Sequence, residues 1–231
     1  MNEPLISVLI AAYNAEKYLS EALDSVYAQD YCPIEVVLVD DGSTDGTAAV
    51  ARRYTTQGLQ YHHQSNQGVA ATRNACLSFA TGEFIAFIDA DDIWLPGKLS
   101  SQMAAIEQRP EADVISGKIK QFISPELDAA EFQNVKYVKE ETQSHMISAC
   151  LFRRAVFDQV GPFDVHKPSG VDMDWVRRAK QQDITFSALD QLVYQRRLHH
   201  TNLGRNRSAE NYQLRFRILK EAIDDQRKPK P

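Results

Sequence analysis

The chain has 231 residues, of which 43% are apolar and 25% charged, with 10 Gly and 9 Pro. That composition excludes a disordered, collagenous or low-complexity protein and describes a folded, water-soluble chain of one large or two small domains. The formal net charge of −5 argues against a nucleic-acid binder.

Charge is unevenly spread: from Arg196 to Pro231 ten basic residues stand against four acidic ones. Cys32, Cys76 and Cys150 lack the close pairing of zinc sites or disulfide frameworks, and an odd count suits a reducing compartment. Buried free thiols are the simple reading. No secretory leader is visible, and no apolar run reaches the roughly 18 residues of a membrane span. A cytoplasmic protein is expected.

The first third of the chain alternates short apolar runs with helical periodicity, the pattern of βαβ units around a parallel sheet. Ile6 to Ala12 reads as a buried strand. Glu16 to Gln29 follows with apolar Tyr18, Leu19, Ala22, Leu23 and Val26 at helical spacing. Glu35 to Val39 is a second strand, Thr47 to Tyr54 a helix behind a Ser, Thr or Asp cap, and Leu59 to His63 a third strand. The Ala-rich run Gly68 to Ala80 predicts a helix ended by Thr81-Gly82, before a strand at Phe84 to Ile88. After Pro96 a helix through about Glu107 leads to a strand at Ala112 to Ser116. Ile123 to Glu141 has no clear period and reads as variable loop with one short strand. Met146 to Phe152 then predicts a strand, Arg154 to Gln159 a short helix, and Gly161 to Asp164 a turn. Met173 to Gln181 predicts a helix, Ile184 to Arg196 a final strand region and Glu210 to Ala222 a last helix.

In an open α/β sheet, ligands collect beyond the carboxyl ends of the strands. Those ends are acidic here: Asp40 and Asp41 follow one strand, and Asp89, Asp91 and Asp92 another. Clustered carboxylates repel each other unless a cation or hydrogen-bond donors neutralise them, and their oxygens suit hard Mg²⁺ or Mn²⁺. In extended chain, residues two apart face the same way, so Asp89 and Asp91 are expected to share one ion. Ser43, Thr44 and Asp45 are explained as helix-capping residues, Asp92 as the cap of a following turn, and Trp94 as packing or a pocket wall.

Four segments carry a family resemblance: Ser7 to Asn14, Val39 to Asp45, Asn66 to Asn74 and Phe87 to Asp92. In order and spacing they resemble the family 2 glycosyltransferases, and the similarity continues more loosely to about Asn202. The resemblance implies a GT-A type α/β fold, a mostly parallel central sheet flanked by helices. Residues 1–204 would form one domain, with a nucleotide-sugar-binding half at 1–116, an acceptor half at 117–204 and a basic C-terminal helix and tail at 205–231. It further implies a nucleoside-diphosphate sugar donor, UDP-linked first among candidates, and a glycan, glycolipid or lipid-linked acceptor. Matched by position, Asp40 contacts the base with Asp41 close by, Ala12, Tyr13 and Asn14 line the nucleoside pocket, and Arg73 lies near it. Asp89, Ala90 and Asp91 match the DxD motif, with Asp91 the direct ligand of Mn²⁺ or Mg²⁺ and Asp89 beside it.

The family's catalytic base falls on Asp172, within Gly170 to Arg178, but Val171 replaces the usual Glu. That departure keeps open a second reading, a nucleotide-sugar or glycan-binding module of the same fold with little catalysis. His199 matches a histidine that some relatives bring to the metal or diphosphate. Arg196, Arg197, Arg205 and Arg207 read either as a lid over phosphates, since arginine pairs bidentately with them, or as a patch attracted peripherally to anionic lipid. A nicotinamide dehydrogenase is disfavoured because no Gly-x-Gly-x-x-Gly follows the first strand.

Overall fold

The structure is a computed structural model, and it describes residues 3–128, 140–167, 170–200 and 202. Four strands come first: β1 (Ile6–Ala12), β2 (Ile34–Asp40), β3 (Leu59–His63) and β4 (Phe84–Asp89). They pair in parallel in the order β3-β2-β1-β4, joined by helices α1 (Leu19–Tyr27), α2 (Thr47–Arg53) and α3 (Val69–Phe79). Alternation along β1 feeds two cores. Val8 and Ile10 join the core that holds Leu19, Leu23 and Val26 of α1, and Leu9 joins the core that holds Ala70 and Cys76 of α3.

Beyond β4 the chain changes direction. It continues through β5 (Ile93–Trp94), α4 (Lys98–Gln108), β6 (Val114–Ile123), β7 (Thr142–Gln143), β8 (Cys150–Arg153), α5 (Ala155–Val160), α6 (Val171–Gln181) and β9 (Phe186–Leu198). The nine-stranded sheet runs β3-β2-β1-β4-β8-β6-β9-β5, with β7 paired to β6. β8 lies antiparallel to both β4 and β6, and β9 runs parallel to β6. Among the described residues, no helix is long and apolar enough to cross a membrane.

Several elements differ from the sequence expectation. The strand expected over Met146 to Phe152 begins as a 3-10 turn at Ile147–Ala149, and only Cys150–Arg153 pairs in the sheet. All three turn residues are buried, and an unbroken apolar run does not distinguish a buried turn from a buried strand. β6 runs past Ser116 to Ile123 because β9 pairs with it along that whole length. Helix α6 starts two residues before Met173, since Gly170, at φ +70°, takes the left-handed conformation that glycine adopts without strain and turns the chain into the helix. Cys76 and Cys150 are buried free thiols, whereas Cys32 is exposed. The helix expected at Glu210 to Ala222 lies outside the described residues.

Register sets the level of the strand ends. Asp40 stands opposite both Ala12 and His63, and Asp89 opposite Ala11, so the acidic ends of β2 and β4 flank the end of β1.

The floor behind this edge contains a fully buried lysine. Lys98 Nζ donates to Gln102 Oε1 at 2.8 Å and lies 4.2 Å from the centre of the Trp94 ring. Gln102 in turn donates to the carbonyls of Ile115 and Ala149, each at 3.0 Å, which ties α4 to β6 and to the buried turn. Burial lowers the Lys98 pKa to about 7. The unfolded chain, with an ordinary lysine near 10.4, therefore binds one more proton between those two values. The cost of burying Lys98 is full below pH 7 and shrinks as pH rises toward 10. Thermal unfolding across pH 6 to 10 tests this: Lys98→Met is expected to raise the melting temperature at pH 7 and to flatten its rise toward pH 10.

Candidate active site

The β1–α1 and β2–α2 loops are stitched together before any ligand arrives. Asp41 N donates to Ala12 O at 2.8 Å, Asn14 N to Ser43 Oγ at 2.9 Å, and Thr44 N to Asn14 Oδ1 at 2.8 Å. Asn14 sits at φ +47°, a conformation that Asn tolerates better than most residues, so its amide fastens this turn. The cap of α2 is Gly46, not the expected Ser, Thr or Asp: Asp45 accepts from Thr47 N at 3.0 Å from the position before it, and Ser43 and Thr44 bond across to Asn14 instead. Tyr13 stands 53% exposed at the rim.

Both carboxylates after β2 are buried and fully engaged. Asp40 accepts from Ser43 N at 2.9 Å and from the Tyr61 hydroxyl at 2.8 Å. Asp41 accepts from Gln64 Nε2 at 2.7 Å, Gln67 N at 2.9 Å and Gly68 N at 2.8 Å, which shapes the approach to α3. Tyr61 had no motif to announce it. The only signal is its place on β3, beside the strand that ends in Asp40.

In the second group, one arginine holds two carboxylates. Arg73, buried on α3 over the Phe163 ring, donates one nitrogen to Asp89 at 2.8 Å and the other to Asp172. This fork ties the end of β4 to the first turn of α6, and its Arg73–Asp172 arm spans 99 residues of sequence. Burial pushes the Asp172 carboxyl above the ordinary range, and the Arg73 guanidinium opposes that push. Ser148 Oγ, from the buried turn, donates to the other Asp89 oxygen at 3.3 Å, and Trp94 Nε1 donates to Ser148 O at 3.1 Å. Trp94 is thus packing that also braces Asp89. Val171 is buried in the same core as Trp175, so the residue at the expected Glu position contributes to packing.

Asp89 and Asp91 take different hydrogen-bond partners. The chain turns at Ala90, with Asp92 N bonded to Asp89 O at 3.1 Å, rather than running extended as expected. Asp91 Oδ2 therefore meets other partners, His199 Nε2 at 2.8 Å and Asn202 Nδ2 at 3.1 Å. Asn202 also accepts from His199 N at 2.6 Å and so fixes the end of the segment. It was missed in the sequence, although its three-residue spacing from His199 was visible. Asp92, expected as a turn cap, instead clamps β9 by accepting from Tyr194 and from Arg197 N at 2.6 Å. Burial pushes Asp92 well above the usual carboxylate range, and Asp91 and Asp89 push it further.

Arg196 and Arg197 diverge. Arg197 lies between the Tyr18 and Phe122 rings, 4.8 Å from each centre, and donates to Asp91 O at 2.9 Å and Glu21 at 2.5 Å. It rivets β9 to α1 and to the turn after β4. Arg205 and Arg207 lie outside the described residues.

The donor set fits a cation that arrives with a phosphate ligand. Among the described residues no three His, Cys, Asp or Glu side chains form a closed metal site, but Asp91 and His199 converge. Magnesium-type ions are commonly held by one or two protein groups, with phosphates and water completing the shell.

A parallel sheet with acidic strand ends, a fused antiparallel region and a carboxylate brought from the second half make up an α/β fold of the GT-A type. Residues 7–161 match the sequence profile of Glycosyl transferase family 2. The chain belongs to that family of glycosyltransferase enzymes. An uncharacterized glycosyltransferase of Nostoc sp., alr2836, is 35% identical over 179 residues, covering 69% of this chain and 54% of that protein. The glycosyltransferase GlyG of Streptococcus pneumoniae is 37% identical over 116 residues, covering 49% of this chain and 38% of GlyG. The chain therefore spans about half or less of these relatives' lengths. Among solved structures, S. aureus TarS 1–349 in complex with UDP superposes with a TM-score of 0.73 at 26% identity, covering 94% of this chain and 65% of that one. The mannosyltransferase PcManGT of Pyrobaculum calidifontis, in complex with GDP-Man and Mn²⁺, shares the fold at 22% identity and a TM-score of 0.69, covering 99% of this chain and 66% of that one.

Arg73 supplies a direct stability test, since removing it leaves Asp89 and Asp172 unpaired. Urea unfolding of Arg73→Met is expected to show a loss of about 3 kcal/mol, within the range for breaking a buried ion pair from one side. On an Asp172→Asn background the same substitution is expected to cost clearly less.

Proposed function

We propose that this chain transfers a glycosyl group, with inversion, from a nucleoside-diphosphate sugar to a hydroxyl of a glycan, glycolipid or lipid-linked acceptor. The observation that carries the reading is the Arg73 fork, which holds Asp172 of the second half against the strand end that precedes Asp91. Residues up to about 116 would bind the donor and residues 117–204 the acceptor. UDP is the first candidate nucleotide, because TarS, 26% identical, was solved in complex with UDP.

Asp172 is the proposed base. It takes the proton of the acceptor hydroxyl as that oxygen bonds to the anomeric carbon, while the bond from that carbon to the diphosphate oxygen breaks on the opposite face. Arg73 favours the charged form of the partly buried Asp172 carboxyl and aims it, holding one oxygen while the other takes the proton. Asp91 and His199 are the proposed holders of Mn²⁺ or Mg²⁺, which supplies positive charge to the departing diphosphate without proton transfer. Asp89 has a supporting role under Arg73 and Ser148. A second reading, nucleotide binding without turnover, is favoured by one observation, the buried Val171 where the family pattern has Glu.

Thermal unfolding with UDP, GDP, dTDP and CDP, each with and without Mn²⁺, tests donor and metal together. UDP with Mn²⁺ is expected to raise the melting temperature of the wild type, and Asp91→Ala to abolish the Mn²⁺-dependent part; stabilisation by no nucleotide sinks the donor assignment. For the base, Asp172→Asn is expected to fold normally and to lose transfer on the order of a thousandfold. Full activity in that variant would remove Asp172 from the mechanism, and nucleotide binding without turnover in the wild type would favour the binding module.

A further inference from the structure

Helical spacing places Tyr18 on the apolar face of α1 with Leu19, Ala22, Leu23 and Val26. The structure separates it from them. Those four residues are buried in the core beside β1, whereas Tyr18 caps the start of the helix, stands outside that core and is half-buried. Its ring lies 4.7 Å from the His199 ring, centre to centre, at an angle of 38°. The Arg197 guanidinium lies 4.8 Å from the centre of the same ring. Residues two apart along an extended chain face the same way, so Arg197, near the end of β9, and His199, just past it, meet one aromatic side chain together.

The ring is itself anchored. The Tyr18 hydroxyl donates to Glu126 Oε1 at 2.6 Å, Lys17 Nζ pairs with that oxygen at 2.5 Å, and Ser124 Oγ donates to Oε2 at 2.6 Å. Ser124 and Glu126 follow the end of β6, so the start of α1, the end of β9 and the chain leaving β6 converge on one phenol. His199 lacks comparable support from the sheet. The pairing of β9 with β6 ends at Leu198, and the His199 backbone N–H donates to the Asn202 side chain instead. Its imidazole, with Nε2 2.8 Å from Asp91 Oδ2, keeps that aim only if neighbouring side chains confine it. Tyr18 supplies such a wall, and it makes no hydrogen bond to Asp89, Asp91, Asp92 or Asp172 that would give it a direct part in the site.

We propose that Tyr18 is a positioning residue for His199: its ring holds the imidazole toward Asp91, and Glu126 holds the ring. The proposal rests on the reading of Asp91 and His199 as holders of Mn²⁺ or Mg²⁺. Residues that orient a metal-binding imidazole act on affinity for the ion, so the effect of Tyr18 is carried by the metal-dependent part of nucleotide binding.

Calorimetric titration with UDP, in MnCl₂ and in EDTA, tests the assignment through the ratio of the two affinities. A general loss of packing lowers both affinities and leaves the ratio in place. Tyr18→Leu is expected to lower the ratio about tenfold, as loss of support around a metal ligand does. Tyr18→Phe, which keeps the ring and loses its anchor, and Glu126→Gln, which weakens the anchor, are expected to fall between Tyr18→Leu and the wild type. A wild-type ratio in Tyr18→Leu, or the same ratio in Tyr18→Leu and Tyr18→Phe, would overturn the proposal. If Tyr18→Leu does not fold, the other two variants decide, and a wild-type ratio in both overturns it. His199→Ala reports on the underlying reading and is expected to lower the ratio at least as far as Tyr18→Leu. A wild-type ratio in His199→Ala, or no gain from MnCl₂ in the wild type, removes His199 from metal binding, and the proposal falls with that assignment.

Discussion

Like charge gathered at one sheet edge is the constraint on which this structure depends. Asp40, Asp41, Asp89, Asp91, Asp92 and Asp172 converge from three stretches of chain, and a fold that brings them together must neutralise each one. It does so by different means. Backbone N–H groups and amide or hydroxyl side chains satisfy Asp40 and Asp41, a shared guanidinium holds Asp89 and Asp172, and His199 with Asn202 meets Asp91. Asp92 is buried too, and its carboxyl group secures β9 through Tyr194 and the Arg197 backbone.

These arrangements divide the site into a rigid part and a chemically open part. The loops after β1 and β2 are cross-linked by hydrogen bonds that involve Asn14, Ser43, Thr44 and Asp45, so a nucleoside would meet a preformed surface with exposed Tyr13 at its rim. Preformed surfaces bind with less ordering cost than loops that must fold around a ligand. Around Asp91 the described residues supply an incomplete donor set, His199 and Asn202, and among them the Arg196 side chain makes no hydrogen bond. Both features leave room for a ligand that carries its own oxygens.

Neighbours of the same residue type have different roles, and this is where sequence reading reached its limit. The three acids of Asp89 to Asp92 form one visible motif, yet the turn at Ala90 gives each its own partners. The adjacent arginines of β9 divide in the same way by strand alternation, one enclosed by aromatic rings and the other on the opposite face. Arg73 was legible as a site residue from its place in the Asn66 to Asn74 segment. Its partners were not, because Asp172 lies 99 positions away and no local pattern records such a distance. Ser148 and Tyr61 carried no motif, since each matters only through the residue opposite it in space.

The sequence by itself determined the parallel first half, the order of its strands and helices, the acidic strand ends and the family. Those features rest on local periodicity and short contiguous motifs, which a chain carries with it wherever it folds. Tertiary structure alone decided the antiparallel entry of β8, the extension of β6 along β9, the separation of Asp89 from Asp91 and the fork of Arg73. Each of these depends on contacts between residues far apart in the chain, and the energy of burying and pairing charge exists only once the sheet has closed around them.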